Sequence, residues 1–294
     1  MADVTSRLAE IAAMAHLEQL AKSTVYAILV YSAFVLTIYL FETRAGADPG
    51  RYRSRNFAID VLYTLFYKGG FYSVLLLAAV TNAIGPRLDF LRLNLGELVP
   101  WPIGLALFWV GGDFVTYWWH RLQHAVPFLW AFHSIHHSQE QMTALTASRR
   151  HPLENLSMDV ILYFFIFNLV LGVPTRGWMP LATLITCIAV LQHAQLDWRF
   201  GPLQRVLVGP RFHAFHHSRL PEHANANFGF LFSCWDYLFG TAVPEQARPT
   251  TFGVEGAGIR ETIGSQLFTP FRLLWQWRRR PASVPSSESH AARS

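Results

Sequence analysis

Long apolar runs separated by shorter polar segments dominate the pattern of the chain. A helix needs about 20 mostly apolar residues to cross a bilayer. Runs near that length, or forming a hairpin between them, cover residues 25–41, 57–84, 101–119, 160–173 and 178–191. The pattern predicts an all-α integral membrane protein with about four transmembrane helices.

Two of these regions have an irregular pattern. The run 57–84 contains Lys68, Gly69 and Gly70, and it is compatible with one long tilted helix or with a broken pair of helices. The runs 160–173 and 178–191 flank the sequence Pro-Thr-Arg-Gly at 174–177, which predicts a helical hairpin.

The basic residues predict an orientation. The connection after the first run carries Arg44, Arg51, Arg53 and Arg55, and loops rich in Lys and Arg stay cytoplasmic. Counting 57–84 as one crossing places all the histidine clusters on the cytoplasmic face, in a helical cap. Two crossings within 57–84 would remove this consistency.

The two ends of the chain have different patterns. Residues 1–100 are expected to hold an interfacial helix, with Leu8, Ile11 and Leu20 on its apolar face, and the first membrane spans. Residues 246–280 are expected to complete the cap. The Pro/Ser-rich segment 281–294 has no apolar face, which is typical of a disordered tail.

Composition favours the bilayer as the solvent. The chain is 52% hydrophobic and 15% charged, against about 25% charged residues in soluble domains. Its net charge is +5, but the basic residues are scattered near the ends of apolar runs, which favours anionic lipid headgroups over nucleic acid. Cys187 and Cys234 form no pattern that predicts a disulfide framework or a cysteine zinc site.

Histidines carry the candidate chemistry. Of 13 histidines, eight fall in the short motifs HRLQH, HSIHH and HAFHH. Their members are His120 and His124; His133, His136 and His137; and His213, His216 and His217. Positions i, i+3 and i+4 of a helix share one face, so each motif aims its imidazoles in one direction. Neutral imidazole binds zinc, copper, iron and nickel, and the repeated HxxHH motif predicts two half-sites that close on a shared centre.

The number of histidines constrains the kind of metal site. The HExxH motif of zinc proteases and the Glu-x-x-His pairs of soluble di-iron bundles are absent from the sequence. A structural zinc site closes with four ligands, fewer than the sequence offers. The surplus fits two metal ions, each held by four or five nitrogens.

Several longer stretches resemble one family. They are WWHRLQHAVPFLWAFHSIHHS, TASRRHPLE at 146–154, LQHAQLDWRFGPLQRVLVGPRFHAFHHS and NFGFLFSCWDYLFGT at 227–241. From about Gly112 to Thr241 they resemble the histidine boxes, the Arg-x-His-Pro element and the closing signature of the membrane fatty acid hydroxylase superfamily. This superfamily includes sterol desaturases, methylsterol oxidases, fatty acid 2-hydroxylases and alkylglycerol monooxygenases.

The resemblance implies a ligand set and a catalytic region. It implies that 101–245 is the catalytic region, that two iron ions are bound, with zinc as a substitute in purified protein, and that O2 is the co-substrate. The implied ligands are His120, His124, His133, His136, His137, His193, His213, His216 and His217. Some relatives have HxxxH in the third box, where this chain has Asp197, so a tenth ligand is not identified. Asp197 is compatible with a metal ligand, an acceptor for an imidazole N–H or a surface residue.

Six further residues are candidates to support the imidazoles or to stabilise turns beside them. His151 is expected to organise a turn or to hydrogen-bond near the site, with Pro152 starting a helix and Glu154 in its first turn. Asp113, inside an apolar run, could accept from an imidazole or make an interhelical hydrogen bond. The remaining candidates are Gln195, Asp197, Asn227 and Asp236.

The resulting hypothesis is a membrane-bound di-iron oxygenase that hydroxylates a lipid C–H bond. A sterol- or carotenoid-type desaturase or oxidase with the same site is the alternative within the enzyme class, and a membrane metal transporter or metal-sensing protein is the alternative outside it. An external ferredoxin- or cytochrome b5-type donor is implied. Arg149, Arg150, Arg211 and Arg219 could steer such an acidic donor, and contact with lipid headgroups is the alternative role for these arginines.

Overall fold

The chain folds as an assembly of helices in the part that the structure describes. The computed structural model describes residues 22, 25–26, 28–95, 98–162, 178–243, 247–254 and 258–279. Two isolated bridges, Leu207 with Phe232 and Ser218 with Phe252, are the only β-type pairings among these residues. The prediction of an all-helical chain is therefore confirmed for the described residues.

Eleven α-helices occur in the described ranges. They are α1 (28–44), α2 (Arg55–Lys68), α3 (Ala78–Leu88), α4 (Trp101–Ala106), α5 (Gly112–Ala125), α6 (Pro127–His137), α7 (Pro152–Asp159), α8 (Trp178–His193), α9 (Pro210–His216), α10 (Cys234–Leu238) and α11 (Ile263–Arg278). Short 3₁₀ turns cover Pro49–Arg53, Asp89–Leu91, Ala144–Ser148, Gly201–Arg205 and Pro221–His223, and π-turns cover Ser73–Leu77 and Leu107–Gly111.

The apolar run 57–84 is a broken pair of helices. The Ser54 side chain accepts a hydrogen bond from the Phe57 backbone N–H and caps the start of α2. The helix ends at Lys68, where Gly69 is the C-cap and Gly70 has a φ of +84°. A residue with a Cβ is strained at that φ, whereas glycine is not. Of the two interpretations of this run, the broken pair of helices agrees with the structure and the single long helix does not.

The third apolar run continues past the point where the sequence pattern ended it. The π-turn Leu107–Gly111 leads directly into α5, which runs on to Ala125. His120 and His124 therefore lie within one helix, one turn apart, and not in a loop beyond it. The apolar run ends at His120, but the helix continues, because helical geometry does not require apolar residues.

Prolines start the helices around the histidines. Pro127, Pro152 and Pro210 occupy the first turn of α6, α7 and α9, where the missing N–H costs no hydrogen bond. Helix α6 packs against α5 and α11, and α8 packs against α9 and the 144–148 turn. This packing brings the ends of α5, α6, α8 and α9 together.

A helix of membrane-spanning length is found once among the described residues. By length and composition, Ser73–Leu91 meets the requirement with 19 residues, and Thr183–His193 is a shorter apolar helix. The predicted interfacial helix within 1–21, the 163–177 part of the hairpin and the tail 281–294 lie outside the described residues.

Candidate metal centre

Nine imidazoles converge at the meeting point of four helices. The nine predicted ligands fall into two groups within which the nitrogen atoms lie within 4.8 Å of one another. The first group, called here the five-histidine group, contains His120, His124, His133, His137 and His216. The second, the four-histidine group, contains His136, His193, His213 and His217. Seven of the nine side chains are buried, and those of His120 and His124 are half-buried.

Each HxxHH motif contributes to both groups. In α6, His133 and His137 join the five-histidine group, while His136 joins the other. In α9 and its C-cap, His213 and His217 belong to the four-histidine group, and His216 crosses to the five-histidine group. The motifs are thus interleaved across the two groups instead of forming one half-site each, because the i+3 side chain is displaced around the helix from the i and i+4 pair.

The two groups lie side by side. The rings of His137 and His217 stack with their centroids 4.4 Å apart, and those of His137 and His216 are 4.6 Å apart. Since His137 and His217 belong to different groups, this contact joins the two clusters. The geometry offers two adjacent positions for cations.

Hydrogen bonds at Nδ1 fix how several rings are oriented. His120 donates from Nδ1 to the Phe228 carbonyl over 2.9 Å, His136 to the Arg149 carbonyl over 3.0 Å, and His193 to the Ala189 carbonyl over 2.7 Å. A carbonyl oxygen only accepts, so the proton of each neutral ring lies on Nδ1. The Nε2 lone pair of each ring is then turned toward the centre of its group.

These orientations leave bare nitrogen atoms facing each other. The Nε2 atoms of His136 and His193 are 3.2 Å apart, and both rings carry their proton on Nδ1. Two lone pairs at this distance repel unless a cation lies between them. With metal–nitrogen bonds of about 2.1 Å, neighbouring ligands of an octahedral ion are about 3.0 Å apart, so the spacing fits a shared metal ion.

The buried imidazoles are expected to be neutral, so protons cannot take the place of a metal ion between them. Burial lowers the pKa of His193 to about 3 and that of His216 to about 4, from an ordinary value of 6.5. Burial likewise lowers the pKa of the other seven imidazoles well below that value, and neighbouring imidazoles lower it further. Neutral imidazole is the metal-binding form. Among the described residues, Nε2 of His124 and Nε2 of His216 are buried without a hydrogen-bond partner, as expected of ligand atoms.

Glu154 is a member of the site whose role the sequence did not indicate. Its Oε1 accepts from Nδ1 of His133 over 2.8 Å, and the Gln123 side chain donates to the same oxygen. Burial raises the pKa of Glu154 to about 7, against the lowering effect of Arg150. The sequence placed Glu154 in the first turn of a helix, which is correct, but a carboxylate 21 residues from its imidazole has no signal in the spacing.

The predicted supporting residues lie around the site at different distances. His151 caps α7, because its Nδ1 accepts from the Leu153 N–H while its Nε2 donates to the Leu267 carbonyl. The turn-organising role predicted for His151 matches this geometry. Both its nitrogens are engaged outside the two histidine groups.

Asp113 and Asp236 position the loop that carries Phe228. Asp113 accepts from the backbone N–H groups of Leu231 and Phe232, and from Trp235. Asp236 accepts from the N–H groups of Phe228 and Gly229. Since the Phe228 carbonyl accepts from His120, both carboxylates act on the site through this loop; no imidazole donates to either in the described contacts.

Asn227, Gln195 and Asp197 also lie outside the imidazole contacts that the structure describes. Asn227 joins α9 to a following loop by donating to the Phe212 carbonyl and accepting from the Val243 N–H. The Gln195 side chain accepts from Arg248 over 2.8 Å. Asp197 is 54% exposed and pairs with Arg211 over 2.8 Å, so it does not complete the four-histidine group.

Two of the arginines suggested for steering a donor protein are buried. Arg149 is fully buried and pairs with Asp60, and Arg211 is 2% exposed and pairs with Asp197. Neither guanidinium faces the surface, so the steering interpretation is wrong for these two residues. The sequence shows a charge but not which side of the chain it faces.

Comparisons with known proteins place the site in a family. Residues 105–241 match the sequence profile of the family described as fatty acid hydroxylase. An ornithine lipid hydroxylase of Rhizobium tropici is 28% identical over 83% of this chain and 75% of its own length. An alkylglycerol monooxygenase of Danio rerio is 30% identical over 60% of this chain, and methylsterol monooxygenase 2-2 of Arabidopsis thaliana is 29% identical over 47%.

The coverage differs between these relatives. The chain spans 39% of the Danio rerio protein and 51% of the Arabidopsis thaliana protein. No solved structure matches the chain significantly. All three relatives are hydroxylases or monooxygenases by name, and the matched region contains all nine converging histidines. The resemblance to the fatty acid hydroxylase superfamily is therefore confirmed for residues 105–241, which match its profile and carry the nine histidines.

Proposed function

We propose that this protein is a membrane-bound, non-haem di-iron oxygenase that hydroxylates a C–H bond of a lipid. The reaction inserts one atom of O2 into the C–H bond and reduces the other to water. It consumes two electrons from an external donor and two protons. Two bound irons would supply the oxygen chemistry, and the protein would position the metal pair, bind the lipid and exclude water.

The pairing of bare imidazole nitrogens is the observation that supports this proposal most strongly. His136 faces His193, and His120 faces His133 over 3.1 Å, with buried nitrogens that stay neutral. We assign the five-histidine group to one iron and the four-histidine group to the other. A four-ligand structural zinc site does not account for five converging nitrogens. Iron is among the metals that imidazole binds, and the hydroxylase and monooxygenase names of the relatives favour it.

An internal cavity supports a lipid substrate. It has a volume of about 500 Å³, and histidines of both groups line it, including His120, His136 and His213. Apolar side chains such as Leu77, Phe108 and Leu162 line much of the remaining wall. An acyl or alkyl group could therefore reach the metal positions while the surrounding apolar side chains keep water out.

We propose a multi-pass arrangement with about four spans and the histidine site on the cytoplasmic side. Ser73–Leu91 would extend about 28 Å at 1.5 Å per residue, close to the thickness of the hydrocarbon core. Large apolar side chains are exposed on α1 and on the Ser73–Leu77 turn, with Leu36 at 57% and Leu75 at 63%.

Metal analysis is the first test. We expect about two irons per chain in detergent-purified protein prepared without a metal-affinity step, by elemental mass spectrometry. His136→Ala and His216→Ala should each lose iron and lipid oxidation while still inserting in the membrane. His223→Gln is the matched control, because His223 is buried but belongs to neither histidine group. Folded protein with much less than one metal per chain would contradict the proposal.

Product analysis separates the alternatives. An alcohol product in lipids from cells that express the gene supports hydroxylation, whereas an alkene or an oxidised sterol supports the desaturase or sterol oxidase alternative. A ferredoxin or a cytochrome b5 would serve as the donor in reconstituted assays. Metal flux into liposomes without oxygen consumption would support the transporter and contradict the oxygenase.

A further inference from the structure

The cavity beside the histidines contains a group of polar side chains that the metal site does not use. Lys68, Tyr72, Arg150, Asn155 and Asp159 all line it. Charged groups in an otherwise apolar cavity are costly unless they have partners. Their arrangement therefore carries information about what the cavity binds.

Arg150 is held by its backbone, with its side chain lining the cavity. The Tyr67 hydroxyl donates to the Arg150 carbonyl over 2.9 Å. The preceding residue, Arg149, faces away, and its guanidinium donates to the Asp60 carboxylate and the Asn56 carbonyl. Nε of Arg150 is buried and, among the described residues, has no hydrogen-bond partner. A guanidinium keeps its charge and offers five donors, so this side chain needs an acceptor.

Lys68 provides a second cation in the same cavity. Its Nζ donates to the Thr186 hydroxyl over 3.0 Å, which is a neutral acceptor. Oδ2 of Asp159 accepts from the Tyr72 hydroxyl over 2.5 Å and from the Asn155 side chain over 2.9 Å, and neither cation forms an ion pair with this carboxylate. No ion pair within 4.0 Å involves Lys68 or Arg150 in the part of the chain that the structure describes.

Glu154 is the rival partner for Arg150. One of its oxygens accepts from His133, and the other, Oε2, is buried without a partner among the described residues. A turn of the Arg150 side chain could join the two. This alternative makes a different prediction, because Glu154 supports a metal ligand and a change at Arg150 would then act on metal binding.

Arg150 also lies close to the reacting end of the cavity. His120, His136 and His193 line the same cavity, and the carbonyl of the preceding residue, Arg149, accepts from Nδ1 of His136.

We propose that Arg150 and Lys68 bind the anionic group of the lipid substrate, a carboxylate or a phosphate, inside the cavity. This rests on the proposed function, because it names the substrate class of the same site. The planar guanidinium fits either anion with two parallel hydrogen bonds, and Lys68 adds a point charge. The charged end of the lipid then lies next to the histidines, and the oxidised carbon lies near that end.

The test measures binding apart from turnover. Delipidated, detergent-purified protein is titrated with three lipids of equal chain length: a fatty acid, a phosphatidic acid and an uncharged monoacylglycerol. Tryptophan fluorescence gives the dissociation constants, and elemental analysis gives the iron content of each variant. The variants are Arg150→Gln and Lys68→Met, with Arg205→Gln as the control at an exposed arginine outside the cavity.

We expect Arg150→Gln to weaken binding of one anionic lipid at least tenfold and that of the uncharged lipid less than twofold. Lys68→Met should act in the same direction, Arg150→Lys should restore part of the affinity, and Arg205→Gln should change nothing. Whether the fatty acid or the phosphatidic acid shows the loss identifies the anion as carboxylate or phosphate.

Three outcomes would overturn the proposal. They are an unchanged affinity for both anionic lipids, an equal loss for charged and uncharged lipids, and a loss of iron from Arg150→Gln with lipid binding unchanged. The last result would show that Arg150 pairs with Glu154 and supports metal binding. If the wild-type protein binds the anionic lipid selectively but oxidises none with iron bound, the proposed function fails while the anion-binding assignment stands.

Discussion

Single hydrogen bonds determine how the imidazoles of this protein are presented. Five of the nine rings donate from Nδ1 to an oxygen, four times to a backbone carbonyl and once to Glu154. A backbone carbonyl remains as an acceptor when the side chain of its residue is substituted. The Glu154 carboxylate is itself a side chain and is lost on substitution. Among these five acceptors, Glu154 is therefore the one that a side-chain substitution removes directly.

Glu154→Ala should weaken iron binding by the five-histidine group about 10- to 100-fold, the usual effect of losing a residue that orients a metal ligand. His133 loses the acceptor that fixes its ring and its proton. Chelator competition followed by elemental analysis measures the effect. Glu140→Ala, at an exposed carboxylate, is the control and should leave the affinity unchanged. Equal iron affinity in both variants would contradict this role.

Asp60 forms a buried ion pair that connects α2 to the histidine site. Its carboxylate pairs with Arg149 over 2.5 Å and accepts from the Gln139 side chain over 2.7 Å, with both charged groups buried. The Arg149 carbonyl accepts from His136. The ion pair thus links α2 to a ligand of the four-histidine group.

Asp60→Ala should lower the free energy of unfolding by about 3–5 kcal/mol, because it leaves a buried guanidinium unpaired. Asp89→Ala breaks the exposed ion pair with Arg92 and should cost at most about 1 kcal/mol. Thermal unfolding in detergent, followed by near-ultraviolet circular dichroism, compares the two. Similar losses in both variants would show that burial of the Asp60 pair is not the cause.

At the scale of elements, the break between α2 and the following helix decides where polar residues lie. Lys68 is the last residue of α2, and the chain turns at Gly70 before the Ser73–Leu77 turn begins. A continuous helix would carry Lys68 and Tyr72 on one face, one turn apart. Both side chains line the same cavity although the chain turns between them.

Gly70→Ala should destabilise the protein by about 1–2 kcal/mol, since an L-residue is strained at a φ of +84°. No heavy atom lies within 4 Å of the added methyl, so backbone strain is the cause and crowding is not. Gly104→Ala, within α4, should instead stabilise by about 0.5–1 kcal/mol. Thermal unfolding in detergent measures both, and a loss of the same sign in both would contradict the assignment.

The whole molecule buries nine imidazoles together, and this has a cost that depends on pH. In the unfolded chain, histidines take up protons as the pH falls through about 6.5. In the folded metal-free protein, His193 and His216 stay neutral until the pH reaches about 3 and about 4. Between these limits the unfolded state binds more protons, so stability rises with pH and is lost as the pH falls.

The melting temperature of chelator-treated protein should therefore fall steadily as the pH is lowered from 7 to 5. Each histidine that stays neutral contributes about 1.4 kcal/mol per pH unit below its unfolded pKa. His216→Gln should show a shallower pH dependence than the wild type, because it removes one such group. A melting temperature that is constant or rises over this range would contradict the burial of neutral imidazoles.

Much of the site follows from sequence, because its parts are local. The spacing of HRLQH, HSIHH and HAFHH gives helical faces that carry histidines, and α5, α6 and α9 have these faces. Pro152 marks the start of α7, as expected from its fixed φ. The apolar runs predict helices, and the matched family profile covers the same histidines.

Other properties arise only from the tertiary structure, because they join residues that are distant along the chain. The exchange of His136 and His216 between the two groups, the pairing of Glu154 with His133, and the burial of Arg149 depend on how α2, α5, α6, α7 and α9 pack. Local spacing determines which face of a helix a side chain occupies. The face or cavity it meets is set by packing over the whole molecule. The sequence therefore determined the candidate ligands, while the tertiary structure decided which groups they contact.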